Sequence, residues 1–307
     1  MMRDHATAFA PGSVGNVGPG LDILGLAVAG AGDRVHLAWR DDEVSIVLDA
    51  GHPDLPTDLA SNTAAIAVAA VFRRAELHRG VAITVTKGLP LSGGQGGSAA
   101  SAVAGAVAAN HLAGADLGHA ALLACALEAE STVAGRHADN LAPSLLGGLV
   151  LVRSMDPMDL IRVPLPDSLR IVMTLPEQQL RTRDARAVLP AEISRAMALQ
   201  QAANVAAMVV AAALGDLAML GRALDDQIAE PARAPLLPGF LAAKSAALAH
   251  GALGCSISGA GPTAFALVDG DAIGAEVAAA MVAAYAAEGM PATARVARVD
   301  NDGAQVW

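Results

Sequence analysis

Four glycines lie between two serines in the segment Pro90-Leu91-Ser92-Gly93-Gly94-Gln95-Gly96-Gly97-Ser98-Ala99-Ala100-Ser101. The alternating apolar residues 81–86 before it read as a strand, and the alanine-rich run 99–109 after it reads as a helix that stops near Gly114. The first turn of a helix leaves about four N–H groups unpaired and carries roughly half a positive charge. Glycines let that main chain close on an anion without Cβ clashes. The chemistry offered is phosphate binding by backbone. It is neither of the common phosphate loops. No lysine lies inside the segment, as a Walker loop requires, and Ser98 and Ala99 stand where the last spacing of a dinucleotide fingerprint would run.

Other residues with chemical potential are spread along the chain. Residues 10–22 are dense in Gly and Pro and hold Asn16 and Asp22, so they read as a shaped loop that either grips a small polar ligand or fixes its own turns. Glu128 and Glu130 fall on a predicted helix over 120–130. At that spacing they cannot share a face, so at most one points to a site. The run His137-Ala138-Asp139-Asn140-Leu141-Ala142-Pro143 is polar and then apolar. Arg186 and Arg233 sit in two further short motifs, Thr182-Arg183-Asp184-Ala185-Arg186 and Glu230-Pro231-Ala232-Arg233. A last glycine-rich piece, Ser256-Ile257-Ser258-Gly259-Ala260-Gly261-Pro262-Thr263, leads into an apolar strand over 264–268.

The elements that must position these residues follow from periodicity. Residues 35–39 and 44–48 alternate on either side of Asp41-Asp42 and read as a hairpin. Asn62 caps a helix that runs to about 71. A buried strand spans 149–152, and Asp156-Pro157 with Pro164 and Pro166 reads as a linker to a second domain. Beyond it lie a strand over 169–175, helices over 192–214, 216–223 and 271–287, and a final strand over 293–299.

Composition narrows the function. A chain of 307 residues with 54% hydrophobic content suits two ordinary domains. Aromatics at 2% argue against base stacking, and a net charge of −10 without a basic block argues against nucleic acid or an anionic membrane as partner. A nucleotide is not excluded, because local dipoles and a bound cation set the field at a site. Cys125 and Cys255 are too far apart in sequence for a disulfide framework or a zinc site and read as core residues in a reducing cytoplasm. No N-terminal signal peptide is visible, and the apolar run 202–213, cut off by Gly215-Asp216, is too short to span a bilayer. The expectation is a soluble, cytoplasmic protein.

Taken in order, the three glycine-rich loops resemble the motifs of the GHMP small-molecule kinases. Pro11…Asn16-Val17-Gly18-Pro19-Gly20-Leu21-Asp22 looks like the first, Pro90 to Ser101 like the second, which is the ATP loop, and Ser256 to Thr263 like the third. The resemblance runs unbroken from about residue 6 to 268. The His137 run and the two arginine motifs are similar to the homoserine kinase branch. That resemblance implies an α+β fold of two domains, 1–155 of the type of domain 2 of ribosomal protein S5 and 156–307 ferredoxin-like, with ATP and substrate between them. It also implies ATP and Mg²⁺ as cofactors, L-homoserine as substrate and a homodimer.

Residue by residue, the resemblance assigns Asn16, Asp22 and Asn140 to the amine and hydroxyl end of homoserine. Arg186 and Arg233 would take its carboxylate, bidentately, as guanidinium groups do. Ser98 and Glu130 would hold Mg²⁺, with Glu128 in reserve, and Asn62 would approach the adenine. Pro90, Leu91, Ser92, Gly93, Gly94, Gln95, Gly96, Gly97, Ser98, Ala99 and Ala100 would cradle ATP, backed by Ser258, Gly259, Ala260 and Gly261. Mevalonate-type relatives carry a basic aspartate where Asn140 falls, so no general base is assigned. Asp139 is the rival, turned elsewhere by its neighbouring position, and His137 is a structural hydrogen-bonder. The chain departs from the family pattern at Gln95 and Gly97, at Leu21, and in the length between Glu130 and His137. Two other readings remain open at this point: another GHMP kinase acting on an isoprenoid or sugar-like alcohol, or a non-catalytic member that senses an amino acid or nucleotide.

Overall fold

Two long strands, β1 (His5–Gly15) and β2 (Leu24–Trp39), pair antiparallel with one register shift between Pro11 and Gly12. The computed structural model describes residues 3–40, 46–49, 52–133 and 135–307. β3 (Ile46–Asp49) lies parallel to β4 (Val81–Thr86), and β4 pairs antiparallel with the far end of β2. The near end of β2 pairs with β5 (Leu149–Met155), which forms a hairpin with β6 (Met158–Val163). Helices α2 (Gly97–Ala113) and α4 (Leu141–Leu146) pack against this sheet, and α1 (Thr63–Arg74) and α3 (His119–Val133) pack on α2 and on each other. Eleven of the residues of α2 are buried, and its small side chains make it apolar on every side, as a helix inside a core must be.

The second sheet has the order β10-β7-β9-β8 and is antiparallel throughout. Its strands are β7 (Leu169–Pro176), β8 (Gly254–Ile257), β9 (Ala264–Asp269) and β10 (Ala292–Arg298). Between them run α5 (Thr182–Ala187), α6 (Arg195–Leu214), α7 (Leu217–Ala223), α8 (Ala229–Arg233), α9 (Phe240–Ala249) and α10 (Asp271–Ala287). α9 and α10 cover one face over Phe240, Val277, Met281 and Tyr285. On the other side Val14, Leu24, Leu26 and Leu149 of the first sheet share a core with Ile171, Met208, Leu220 and Phe265 of the second half. This shared apolar layer fixes the cleft between the halves.

Four expectations are corrected. Residues 10–15 continue β1 instead of looping, so the shaped segment is only the turn after Gly15. The hairpin over 35–48 does not form: β2 pairs with β1 and β4, and β3 joins the sheet parallel to β4. Asp41, Asp42, Val44 and Ser45 lie outside the described residues. Asp156-Pro157 is the turn of the β5–β6 hairpin, not a linker, so the first sheet runs on to Val163 and also takes back β11 (Gln305–Val306) beside β1. The sheets therefore do not divide at residue 155. Finally, the apolar run 202–213 belongs to a 20-residue helix, α6, long and apolar enough by length and composition to cross a membrane.

Candidate active site

α2 opens on Gly96, left-handed at φ 70°, so the free N–H groups of its first turn face the cleft between the two halves. That cleft, about 610 Å³, is lined by Pro90, Leu91, Ser92, Gly93, Gly94, Gly96, Gly97 and Ser98 on one side and by Gly259, Ala260 and Gly261 on the other. The loop is held from behind. Ser258 Oγ donates to the Gly94 carbonyl at 2.6 Å, and Thr263 Oγ1 donates to the Gly93 carbonyl. Gly94 sits at φ 72°, and a Cβ there would fall 2.7 Å from the carbonyl oxygens of Gly261 and Ser258, so only glycine fits. Gln95 is turned out of the cleft. Its Nε2 donates to Thr263 Oγ1 at 3.3 Å and its Oε1 accepts from Arg295 at 3.4 Å, which makes it a tie to the second half. Ala99 and Ala100 are fully buried, and the Ala100 N–H donates to the Gly96 carbonyl, so neither is among the residues lining the cleft.

A lysine does reach this loop, from outside it. Lys87, at the end of β4, donates to Asp33 Oδ2, to the Gly97 carbonyl at 3.0 Å and to Ser101 Oγ at 3.1 Å. All three ammonium hydrogens are thus engaged. Asp33 is fully buried and also accepts from Ser101 Oγ at 2.6 Å and the Gly88 N–H at 3.1 Å. The cluster pins the start of α2 to the sheet. Sequence reading missed it because it looked for lysine only within the loop; Lys87 stands three positions ahead of Pro90.

The choice between the two glutamates is clear. Glu128 is exposed and paired with Arg73 on the outer face of α3. Glu130 is buried in the cleft wall, where Oε1 accepts from Ser98 Oγ at 3.1 Å and Oε2 has no partner. Burial pushes its carboxyl up to about 7, against the pull of the Ser98 hydrogen bond. An orphaned carboxylate oxygen beside a hydroxyl at a phosphate-binding helix end fits a hard divalent cation, whose remaining ligands would be phosphate oxygens and water. Asn62 lines the same cleft, but its side chain is occupied. Its Oδ1 caps α1 through the N–H groups of Ala64 and Ala65, and its Nδ2 donates to the Pro56 carbonyl. Asn62 thus caps α1 from within the cleft wall.

A second group of residues at the cleft is charged and comes from both halves. Arg186 on α5 grips Asp22 bidentately, at 2.6 and 3.1 Å, and His137 Nδ1 lies 3.3 Å from the same carboxylate. Asp22 is held at φ 62° and Asn16 at φ 53°, and Asn16 Oδ1 accepts the Asp22 N–H at 2.7 Å. Arg233 is buried; its Nε donates to the Ala185 carbonyl and its Nη1 to the Gly259 carbonyl. Burial and then the neighbouring Arg186 guanidinium lower its pKa, against the pull of Asp22, Asp226 and Asp139, whereas the hydrogen bond to Asp22 raises that of Arg186. Burial likewise depresses His137.

Asp139 is not turned elsewhere, which corrects the orientation expected from its neighbouring position. It lines the same cleft as Asn140, is buried, and accepts the Asn16 N–H at 2.9 Å through Oδ2. Burial, then the charge of Asp22, raise it to about 6. Asn140 Oδ1 accepts from Ser13 Oγ at 3.0 Å. A Cβ at Gly15 would lie 2.4 Å from Asn140 Nδ2 and 2.6 Å from Asp139 Oδ2, so this glycine admits both side chains. Behind Arg233, Asp226 caps α8 through the N–H groups of Ile228, Ala229 and Glu230, and Gln201 of α6 donates to Asp226 and to the Pro19 carbonyl. One polar network holds both the Asn16 turn and the Arg233 helix.

Comparison with known proteins gives the family. The family model described as GHMP kinases N terminal domain matches residues 62–148, and that described as GHMP kinases C terminal matches 208–287. The chain is 43% identical over 292 residues to the homoserine kinase of Chloroherpeton thalassium, covering 90% of this chain and 91% of the relative. It is 44% identical over 308 residues to the homoserine kinase of Arabidopsis thaliana, covering 97% and 83%. The crystal structure of homoserine kinase from Cytophaga hutchinsonii superposes with a TM-score of 0.95 at 39% identity, covering 100% of this chain and 98% of that one. The chain belongs to the GHMP kinases and, within them, to the homoserine kinases.

Proposed function

We propose that the protein transfers the γ-phosphoryl group of ATP to the hydroxyl of L-homoserine, giving O-phospho-L-homoserine and ADP, as a homodimer in the cytoplasm. The observation that carries this reading is the pair of arginines, Arg186 and Arg233, which both line the cleft that holds the phosphate loop and converge with Asp22. An α-amino acid brings a carboxylate for the guanidinium groups and an ammonium to share Asp22. Isoprenoid and sugar alcohols bring no such head group. The free N–H groups at the start of α2 and the helix dipole would bind the triphosphate, and Ser98 with Glu130 would hold Mg²⁺, which neutralises charge on the phosphates when bound.

Phosphoryl transfer through a loose transition state asks mainly for alignment and charge neutralisation. The Asp139 carboxylate keeps the Asn16 turn in place through the Asn16 N–H, and Asn140 cannot accept a proton. No residue is therefore given the part of general base. On this reading Asp139→Asn lowers kcat less than about tenfold, whereas loss of a general base costs about 10²- to 10⁴-fold. The reading is tested by ADP release with Mg-ATP and L-homoserine, mevalonate, galactose or L-serine. Turnover confined to L-homoserine supports it. Turnover with another alcohol discards the substrate site, and nucleotide binding without turnover on any points to a sensor.

A further inference from the structure

Composition and packing disagree at one helix. Residues 196–215 carry no charged side chain, yet only the inward face of α6 is buried, through Gln201, Asn204, Met208, Ala211 and Ala212. Outward, Leu199 is 64% exposed, Val210 49% and Leu214 74%. Leu199, Ala203, Ala206, Val210 and Ala213 are all exposed and recur at alternating spacings of four and three, which draws one apolar stripe along the helix. Single exposed leucines are ordinary, but a continuous stripe of this kind marks a contact surface.

The stripe is built to meet its own copy. Turned end for end about Ala206, it sets Leu199 over Ala213 and Val210 over Ala202, a large side chain against a small one at each level. The same reversal brings Arg195, exposed at the start of the helix, within one residue of the exposed Asp216 beyond its end, and these are opposite charges. Alanine at the centre lets the two backbones approach closely. A bilayer is a poorer occupant. Gln201 and Asn204 tie the inward face to Pro19, Asp226 and the Asp225 carbonyl, and those bonds would have to break.

We propose that α6 is the contact between two copies of this chain, packed antiparallel across a two-fold axis at Ala206. This rests on the homodimer reading above and names its surface. The test measures mass in solution by light scattering at micromolar concentration, for the whole chain and two variants. Wild type is expected at twice the chain mass. Val210→Glu is expected at the chain mass with an unchanged circular dichroism spectrum, since position 210 is solvent-facing in one copy. Ala206→Cys is expected to give a disulfide-linked dimer on mild oxidation, because facing positions on the axis meet the Cα separation of about 4.4–6.8 Å that a disulfide needs. Cys125 and Cys255 are buried and stay silent. A monomeric wild type overturns both the homodimer reading and this surface. If the dimer survives Val210→Glu and the Ala206→Cys variant does not cross-link, the surface alone is overturned. A monomer that sediments with phosphatidylcholine vesicles hands the face to a membrane and overturns the proposal.

Discussion

At the phosphate end of the cleft a ligand would meet main-chain N–H groups, the hydroxyls of Ser92 and Ser98 and the carboxylate of Glu130. At the substrate end it would meet Asp22, His137, Arg186 and Arg233, charged or ionisable side chains drawn from both halves. Each construction has its own support. The phosphate loop is fixed by bonds to its own carbonyls, from Ser258, Thr263 and Lys87, none of which need point at the ligand. The substrate end is fixed by ion pairs and by the Asp226–Gln201 network, so its members position one another. Backbone recognition suits a phosphate chain. Charged side chains suit the part of the reaction that selects one substrate.

That contrast predicts different failures at the two ends. The largest effects are expected from Glu130→Gln and Arg233→Ala, and the first removes the carboxylate beside Ser98. Steady-state kinetics should show kcat down by about 10²- to 10³-fold, with the KM for homoserine little changed. Arg233→Ala should do the reverse. It should lower kcat/KM for homoserine by about 2–5 kcal/mol while the KM for ATP stays within about twofold, and equal damage to both substrates would erase the distinction between the ends. Glu130 also makes a prediction for the metal-free protein. Its carboxyl is raised from an ordinary 4.5 to about 7, so the folded state holds a proton that the unfolded state has released. The stability it contributes is full below about pH 4.5 and is lost as pH rises through 7, a change of about 3 kcal/mol by linkage. Urea midpoints measured at pH 5 and pH 8 should therefore fall in wild type by more than in Glu130→Gln. The smallest effect is expected from Gly94→Ala, whose Cβ meets two carbonyls at 2.7 Å in a left-handed backbone. A cost of about 1–3 kcal/mol should appear as weaker ATP binding by calorimetry, with homoserine binding intact.

How much of this was legible in sequence follows the same division. The phosphate loop is local, since strand, glycines and helix are consecutive, and α2 starts two residues before the alanine run and ends on Gly114 as the stop signal says. α10 is likewise found over 271–287. What failed was non-local. Alternation in residues 35–39 reveals a strand but not its partners, so the real neighbours of β2 could not be read. Asp156-Pro157 has the composition of a linker, and only pairing makes it a hairpin turn. Resemblance singled out Arg186 and Arg233, but their engagement with Asp22, Ala185 and Gly259 lies in tertiary geometry. Asp33 lies 54 residues from Lys87 and gave no local signal at all.

The central claim is that the substrate end reads an amino-acid head group through its paired arginines. The most direct measurement compares kcat/KM for L-homoserine, for 3-aminopropan-1-ol, which lacks the carboxylate, and for 4-hydroxybutanoate, which lacks the amine, in wild type and Arg233→Ala. Wild type should prefer homoserine over 3-aminopropan-1-ol by about 30-fold or more, and Arg233→Ala should shrink that preference by at least tenfold, because the lost group and the lost carboxylate are partners. A preference that survives Arg233→Ala undiminished would contradict the account and move carboxylate recognition elsewhere in the cleft.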